Sequence, residues 1–226
     1  MFKKQLFFIL FLTFSCNKNI EVLSVSNLFS DGAILQRDTT VTVWGTSMPN
    51  NQIELTGSWG EEIITKSNSD GKWKGMMKTS HAGGPHSLRI LSKNNELVIN
   101  DILFGEVWLA SGQSNMEMNF DYCCNSTDSS EYELSHANYP KLRMFNVKKA
   151  ISDKPQIDIE GDWVSAVGKN IIDFSAVGYF FAKNLYLDLN VPIGIINASW
   201  GGSIIESWSS NEALSSIDGF TDKIEE

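Results

Sequence analysis

The pattern of hydrophobic and polar positions divides the chain into two regions. Residues 22–101 contain short apolar or alternating runs, which turn residues interrupt at a regular spacing. Such a pattern is typical of antiparallel strands and predicts a β-sandwich-like domain over residues 22–101. The predicted strands are residues 41–44, 52–56, 62–65, 72–77, 87–91 and 97–99, and the predicted turns are residues 49–51, 68–71, 83–85 and 93–95.

From residue 102 the pattern changes to alternating strands and helices, which defines a second region over residues 102–226. This order predicts an α/β fold with a parallel, flavodoxin-like sheet, and reactive groups on loops at the carboxyl ends of its strands. The predicted elements are strands at residues 106–110, 142–147 and 193–198, a polar loop over residues 123–139, and a short helix from Ile204.

A longer helix is predicted over residues 176–188. Ser175 precedes this segment and is a suitable N-cap, because its hydroxyl can accept a hydrogen bond from a free amide of the first turn. The predicted apolar stripe consists of Val177, Phe180, Phe181, Leu185 and Tyr186.

Residues 1–21 have the character of an export signal. Lys3 and Lys4 precede an apolar run over residues 6–14, which is too short to span a bilayer. Cys16 then follows a small residue, as at a bacterial lipoprotein cleavage site, where the cysteine becomes the lipidated first residue. Ordinary secretion and a retained anchor are the alternatives. We expect an exported protein, either an outer-membrane or cell-surface lipoprotein or a periplasmic protein, that touches the membrane only through lipid on Cys16.

Composition narrows the possible partners. Hydrophobic residues make up 42% of the chain and charged residues 20%, as in globular proteins, and the net charge of −9 argues against nucleic acid and anionic membrane surfaces. Cys123 and Cys124 are adjacent, with Cα atoms about 3.8 Å apart, below the usual disulfide range of about 4.4–6.8 Å. Free thiols or partners outside this chain are therefore expected. The cysteine spacing matches no zinc or redox motif, so no metal and no cofactor is expected.

One candidate for chemistry lies just after the strand at residues 106–110. The strand runs into Gly112-Gln113-Ser114-Asn115-Met116, in which the glycine permits a sharp turn. Such a turn holds the hydroxyl of Ser114 at the end of a sheet, where a base and a substrate carbonyl can reach it. Met116 stands where the α/β-hydrolase elbow has glycine. Taken alone, the pentapeptide is equally compatible with a polar loop that has no chemical role.

A second candidate follows the strand at residues 193–198. That strand ends in Ser199-Trp200-Gly201-Gly202-Ser203. Adjacent glycines allow backbone N–H groups to approach an anion closely, which is what an oxyanion hole requires.

Together these segments resemble the first two sequence blocks of the sialate O-acetylesterase family, within the SGNH hydrolase superfamily. Further phrases at residues 28–38, 43–45, 70–73 and 82–86 resemble the amino-terminal region of the same family, so that the resemblance extends over residues 28–208. It implies a carbohydrate esterase that removes O-acetyl groups from sialic acid or a related acetylated sugar, with an SGNH-type sheet.

The resemblance also implies roles for individual residues. Ser114 is expected to attack the acetyl carbonyl, while the amide of Ser114 and that of Gly202, or of its neighbour Gly201, stabilise the oxyanion. Asn115 is a candidate for substrate contact. Trp200 and Trp208 are candidates for lining the sugar pocket, with core packing as the alternative for each.

The general base is missing from this pattern. In the superfamily the base is a histidine three residues after an aspartate, and none of His81, His86 and His136 stands in that motif. We expect His81 and His86 in loops, without a carboxylate at a catalytic spacing, and His136 as a substitute base is the alternative. The family's third block, a Trp-x-Gln-Gly-Glu loop, is also absent. We therefore expect the front part of a longer enzyme, with a sheet truncated at its carboxyl end and at most trace activity alone.

Two other function classes remain open. The first is an esterase for another carbohydrate, such as acetyl xylan, because a serine and an oxyanion loop do not encode the sugar. The second is a non-catalytic surface protein that binds glycans.

Overall fold

The computed structural model describes residues 23–121, 129–152 and 154–217. Cys16, Cys123 and Cys124 lie outside these ranges. The strands are β1 Ser24–Val25, β2 Ile34–Gln36, β3 Thr40–Thr46, β4 Gln52–Gly57, β5 Glu62–Lys66, β6 Lys72–Lys78, β7 Gly83–Ser92, β8 Asn95–Gly112, β9 Asn138–Asn146, β10 Trp163–Val167 and β11 Ile193–Ser199. The α-helices are α1 Ser114–Glu117, α2 Ser130–His136, α3 Ala176–Leu189 and α4 Asn211–Ser215, and 3₁₀ turns lie at Asn27–Phe29, Gly168–Ile171 and Ile205–Trp208.

The strands form two sheets. The smaller sheet is antiparallel, with the order β1-β3-β6. The larger has the order β10-β9-β11-β8-β7-β4-β5, with β2 also paired to β8. Strand β11 runs parallel to both β8 and β9, whereas β10 is antiparallel to β9. The predicted α/β character with a parallel sheet is confirmed.

The order of the parallel strands differs from the prediction. In a flavodoxin-like sheet the first parallel strand separates the second from the third. Here the third strand, β11, lies between β8 and β9, and β10 pairs with the outer side of β9 in the antiparallel direction. The site is unaffected, because the predicted serine and glycine turns follow β8 and β11, which are direct neighbours.

Strand β8 joins the two predicted regions. Its first part pairs with β7, and its second part pairs with β11. The prediction of separate strands at residues 97–99 and 106–110 is therefore wrong, because one strand runs through both segments even though Asp101 has a positive φ. The assignment of residues 22–101 and 102–226 to two domains stays a prediction.

Two apolar cores hold the elements in place. The first lies between the small sheet and the antiparallel part of the large sheet, and the second joins α3 to the parallel strands. Fully buried members of the first include Val43, Met77, Ile53, Leu55, Leu88 and Ile90. Members of the second include Leu142, Met144, Ile193, Ile195, Tyr179 and Ala182. Within the described ranges, no helix has the length and hydropathy that a membrane span needs.

The start of α3 confirms the predicted N-cap, but its apolar stripe is shifted. The hydroxyl of Ser175 accepts a hydrogen bond from the amide of Gly178 at 3.0 Å. Val177 and Phe181 remain 47% and 42% exposed, whereas Tyr179 is fully buried. A tyrosine is favourable there because its hydroxyl donates to the carboxylate of Glu133 at 2.8 Å, which satisfies the buried polar atom.

Three local predictions are corrected by long-range contacts. Residues 83–85 are not a turn but the start of β7, which pairs with β8 through two register shifts. His86 lies in β7 rather than in a loop and stacks on Phe104, with ring centroids 4.4 Å apart. His81, by contrast, does lie in a loop as predicted, and its Nδ1 lies 2.6 Å from Oδ1 of Asp38, which is 43 residues away. Within the predicted loop at residues 123–139, the described part forms α2 and the first residues of β9.

Candidate active site

Ser114 is the first residue of α1, two residues after the end of β8. Gly112 adopts a φ of +139°, a conformation that favours glycine, and the chain then turns into α1. The carbonyl of Gln113 accepts hydrogen bonds from the amides of Met116 and Glu117, which fixes this turn. Ser114 is exposed at its tip and lines a cavity of about 340 Å³, together with Asn115 and Val177.

The Gly201-Gly202 turn lies beside Ser114 because of strand register. Strand β11 pairs with β8 up to Ser199 and Gly112, and the amide of Trp200 then donates to the carbonyl of Gly112 at 3.0 Å. A Cβ added to Gly201 would lie 3.6 Å from Oγ of Ser114. The structure therefore brings together the two motifs that the sequence singled out, which are 87 residues apart in the chain.

The two glycines of this turn differ in their surroundings. The amide of Gly201 donates to Oε2 of Glu117 at 2.5 Å, so this N–H group already has an acceptor. Gly202 is exposed, has a φ of +78°, and has no atom within 4 Å of the position of a Cβ. Of the two glycines predicted as oxyanion donors, Gly202 is therefore the one whose amide has no acceptor among the described residues.

Glu117 is a residue of this site that sequence reasoning missed. Its carboxylate accepts the amide of Gly201 and forms an ion pair with Nζ of Lys149. The hydrogen bond from Lys149, helped by that from Gly201, holds the pKa of Glu117 below its usual 4.5, although burial acts in the opposite direction. The sequence does carry a weak signal: Glu117 stands three residues after Ser114, which places both on one face of a helical turn.

Lys149 links this carboxylate to the aromatic side of the site. Its Nζ lies 5.5 Å from the ring centroid of Trp200, within range of a cation–π interaction. The Lys149 side chain is 46% exposed and the Glu117 side chain 31%, so both remain accessible to water.

Trp200 and Trp208 line a groove that leads away from the glycine turn. A cavity of about 470 Å³ reaches Gly201 and Gly202, and a second of about 740 Å³ continues along residues 147–150 and 158–160. Both cavities are bordered by the two tryptophans. Trp208 is 45% exposed, and its indole N–H donates to Oγ of Ser203 at 2.8 Å, which fixes the ring orientation.

The three histidines lie outside this cluster of contacts. Nδ1 of His136 is 2.9 Å from both Oγ of Ser135 and the carbonyl of Tyr132, and its ring stacks on Tyr132. His81 pairs with Asp38, and His86 packs on Phe104. Among the described residues, no histidine forms a hydrogen bond with Ser114.

Comparison with known proteins identifies similar esterases. No model of a protein family matches the chain. It is 32% identical to the sialate O-acetylesterase of Mus musculus over 202 residues, which cover 80% of this chain and 36% of that protein. The corresponding enzyme of Homo sapiens is 32% identical over 210 residues, covering 84% of this chain and 39% of the relative.

A solved structure gives the same result at the level of the fold. A carbohydrate acetylesterase from Xanthomonas citri superposes with a TM-score of 0.80 at 40% identity, covering 86% of this chain and 44% of that one. The chain thus spans well under half the length of these relatives. The resemblance to sialate O-acetylesterases predicted from the motifs is confirmed.

Proposed function

The chain belongs to the sialate O-acetylesterase family, and we propose that the protein is a carbohydrate O-acetyl esterase with Ser114 as its nucleophile. The observation that carries the proposal is the placement of Ser114 beside the Gly201-Gly202 turn, at the carboxyl ends of two adjacent parallel strands. An exposed hydroxyl next to backbone amides is the arrangement that acyl transfer requires.

The proposed reaction begins with attack of Oγ of Ser114 on the acetyl carbon. A tetrahedral intermediate forms, and the amides of Ser114 and Gly202 donate hydrogen bonds to its oxyanion. Gly201 is the weaker candidate for this role because its amide already donates to Glu117. Loss of one such donor costs about 3–4 kcal/mol of transition-state stabilisation in comparable hydrolases. The bond to the sugar oxygen then breaks, and that oxygen leaves as a hydroxyl with the proton that the base took from Ser114. Water finally attacks the acetyl-serine, which releases acetate and restores the serine hydroxyl.

The hydroxyl of Ser114 needs a base to accept its proton. We propose that a histidine in an Asp-x-x-His motif, in sequence beyond residue 226, supplies it. The two mammalian relatives support this proposal, because each is more than twice as long as the chain. The test is the DNA downstream of codon 226: an in-frame continuation with this motif supports the proposal, and its absence contradicts it.

The finer architecture belongs to the same proposal. The shared core between the small sheet and β4, β7 and β8 supports a sandwich over residues 22–101. An SGNH-type sheet with further strands is supported by the second half of β8, which pairs with β11 on one side. On its other side β2 reaches only Gly105, and Trp108 and Leu109 are 44% and 68% exposed.

We propose that the substrate lies along the tryptophan groove, with Asn115 close to the acetyl group. Trp200 and Trp208 offer ring surfaces, and Asn115 borders the same cavity as Ser114. The two successive cavities favour an acetylated oligosaccharide or polysaccharide as the second candidate beside sialic acid. Acetate release from O-acetylated sialic acid and from acetylated xylan, measured with the full-length gene product, decides between them. Binding without acetate release from either would identify a glycan-binding protein instead.

Export through a lipoprotein signal is also proposed. The basic start and the apolar run before Cys16 support it. Mass spectrometry of the mature protein should find a lipidated Cys16 as its first residue, and an unmodified Cys16 or retention in the cytosol would contradict the proposal.

A further inference from the structure

We propose that Glu117 is a positioning residue that holds the Gly201-Gly202 turn against Ser114, and that Lys149 fixes the carboxylate in this position. The inference rests on the proposed esterase function. It concerns three segments that are distant in sequence: α1, the residues after β9, and the turn after β11.

The first step of the argument is the way in which the turn is held. The β8–β11 ladder ends where the amide of Trp200 donates to the carbonyl of Gly112. Beyond that point, Ser203 donates to the carbonyl of Trp200 through its amide and its hydroxyl, but both bonds lie within the turn itself. Among the described residues, the bond from Gly201 to Glu117 is the hydrogen bond that ties the turn to the helix carrying Ser114.

The second step concerns the choice of a carboxylate. A backbone amide bound to an ionised carboxylate forms a charge-assisted hydrogen bond, which is stronger than a bond to a neutral acceptor. Lys149 contributes in two ways, because it pairs with Glu117 and also lies over the ring of Trp200, the neighbour of Gly201. The ion pair of Glu117 and Lys149 therefore contacts both Trp200 and Gly201, the residues at the start of the turn.

The third step concerns electrostatics during the reaction. A carboxylate near a developing oxyanion would repel it, and the repulsion would slow the acylation step. The ammonium of Lys149 offsets the negative charge of Glu117, so that the ion pair holds the turn without a net charge near the oxyanion. The amide of Gly201 then has a structural role, while the amide of Gly202, which has no acceptor among the described residues, is available to the oxyanion.

The test compares Glu117→Gln, Glu117→Ala and Lys149→Met in the full-length gene product. Glu96→Gln is the matched control, because Glu96 pairs with Arg89 on exposed strands and does not contact the site. Glu117→Ala should lower kcat for an acetyl ester by about 10–100-fold with little change in KM, because a displaced turn misplaces the oxyanion donors. Glu117→Gln keeps an acceptor oxygen and should retain more activity than the alanine variant.

A second readout does not depend on activity. Amide hydrogen exchange at Gly201 should accelerate in Glu117→Ala and, to a smaller extent, in Lys149→Met, and should stay unchanged in Glu96→Gln. Wild-type kcat in Glu117→Ala, or unchanged exchange at Gly201, would overturn the inference. Wild-type protein without esterase activity, or Ser114→Ala as active as wild type, would overturn the proposed function instead, and Gly201 exchange would still test the contact.

Discussion

Ser114 and Gly201 follow two adjacent parallel strands, and a Cβ added to Gly201 would lie 3.6 Å from Oγ of Ser114. This proximity depends on the register of β8 and β11, which pair residue by residue from Glu106 to Gly112. Because the two strands are directly hydrogen-bonded neighbours, the relative position of hydroxyl and turn is fixed by the sheet rather than by the loops. Glu117 adds one further contact at the tip of the turn.

Replacement of Trp208 by alanine should weaken substrate binding. The exposed indole borders both cavities of the groove, and its removal takes away ring surface without touching Ser114. KM for an acetylated oligosaccharide should rise about tenfold, equivalent to about 1.4 kcal/mol, while kcat stays close to the wild-type value. Steady-state kinetics checks this prediction. Ile64→Ala, which removes an exposed apolar side chain on β5, serves as the control. An unchanged KM would remove Trp208 from the proposed binding groove.

The stability of the α2–α3 contact should depend on Glu133. Its carboxylate is buried and accepts hydrogen bonds from Tyr179 at 2.8 Å and from Lys183 at 2.5 Å. Glu133→Ala should lower the free energy of unfolding by about 3 kcal/mol, because Lys183 would remain largely buried without its carboxylate. Urea denaturation measures this loss. The exposed pair of Arg89 and Glu96 provides the comparison, since Glu96→Gln should cost less than about 1 kcal/mol. Equal losses in the two variants would contradict the interpretation.

Acidification should destabilise the protein through His86. Burial beside Phe104 lowers the pKa of His86 below its usual 6.5. The unfolded chain therefore binds a proton at a pH where the folded protein does not, so that stability present above about pH 6.5 is lost as the pH falls through the lower, folded pKa. The difference in unfolding free energy between about pH 7.5 and about pH 5.5 should shrink in His86→Phe, which keeps an aromatic ring there. An identical pH dependence of the unfolding free energy in this variant would rule out His86 as the cause of the destabilisation.

Sequence patterns of a few consecutive residues predicted most of the strands of the first region and the start of the long helix. Alternation placed strands within β3, β4, β5 and β6, and a hydroxyl at Ser175 correctly marked the start of α3. The two motifs at Ser114 and Gly201 were found in the same way, because a strand followed by glycine is a feature of a few consecutive residues.

The remaining features depend on partners that are distant in sequence. Asp101 interrupts the apolar pattern of β8 and has a φ of +56°, yet the strand continues. Buried Arg143, 42 residues away, binds both the carbonyl and the carboxylate of Asp101, and no local pattern reveals that contact. The same limit applies to Glu117, because its partners Lys149 and Gly201 come from two other segments of the chain.

The most direct test of the account is the esterase activity of Ser114→Ala in the full-length gene product. Ser114 is exposed at the tip of its turn, so the variant should melt at the wild-type temperature. Turnover of an acetyl ester should fall by about 10⁴-fold or more, because the nucleophile is lost. Ser111→Ala, which changes an exposed serine of β8 near the same turn, should retain turnover close to wild type. Ser114→Ala turnover within tenfold of wild type would contradict the assignment of Ser114 as the nucleophile.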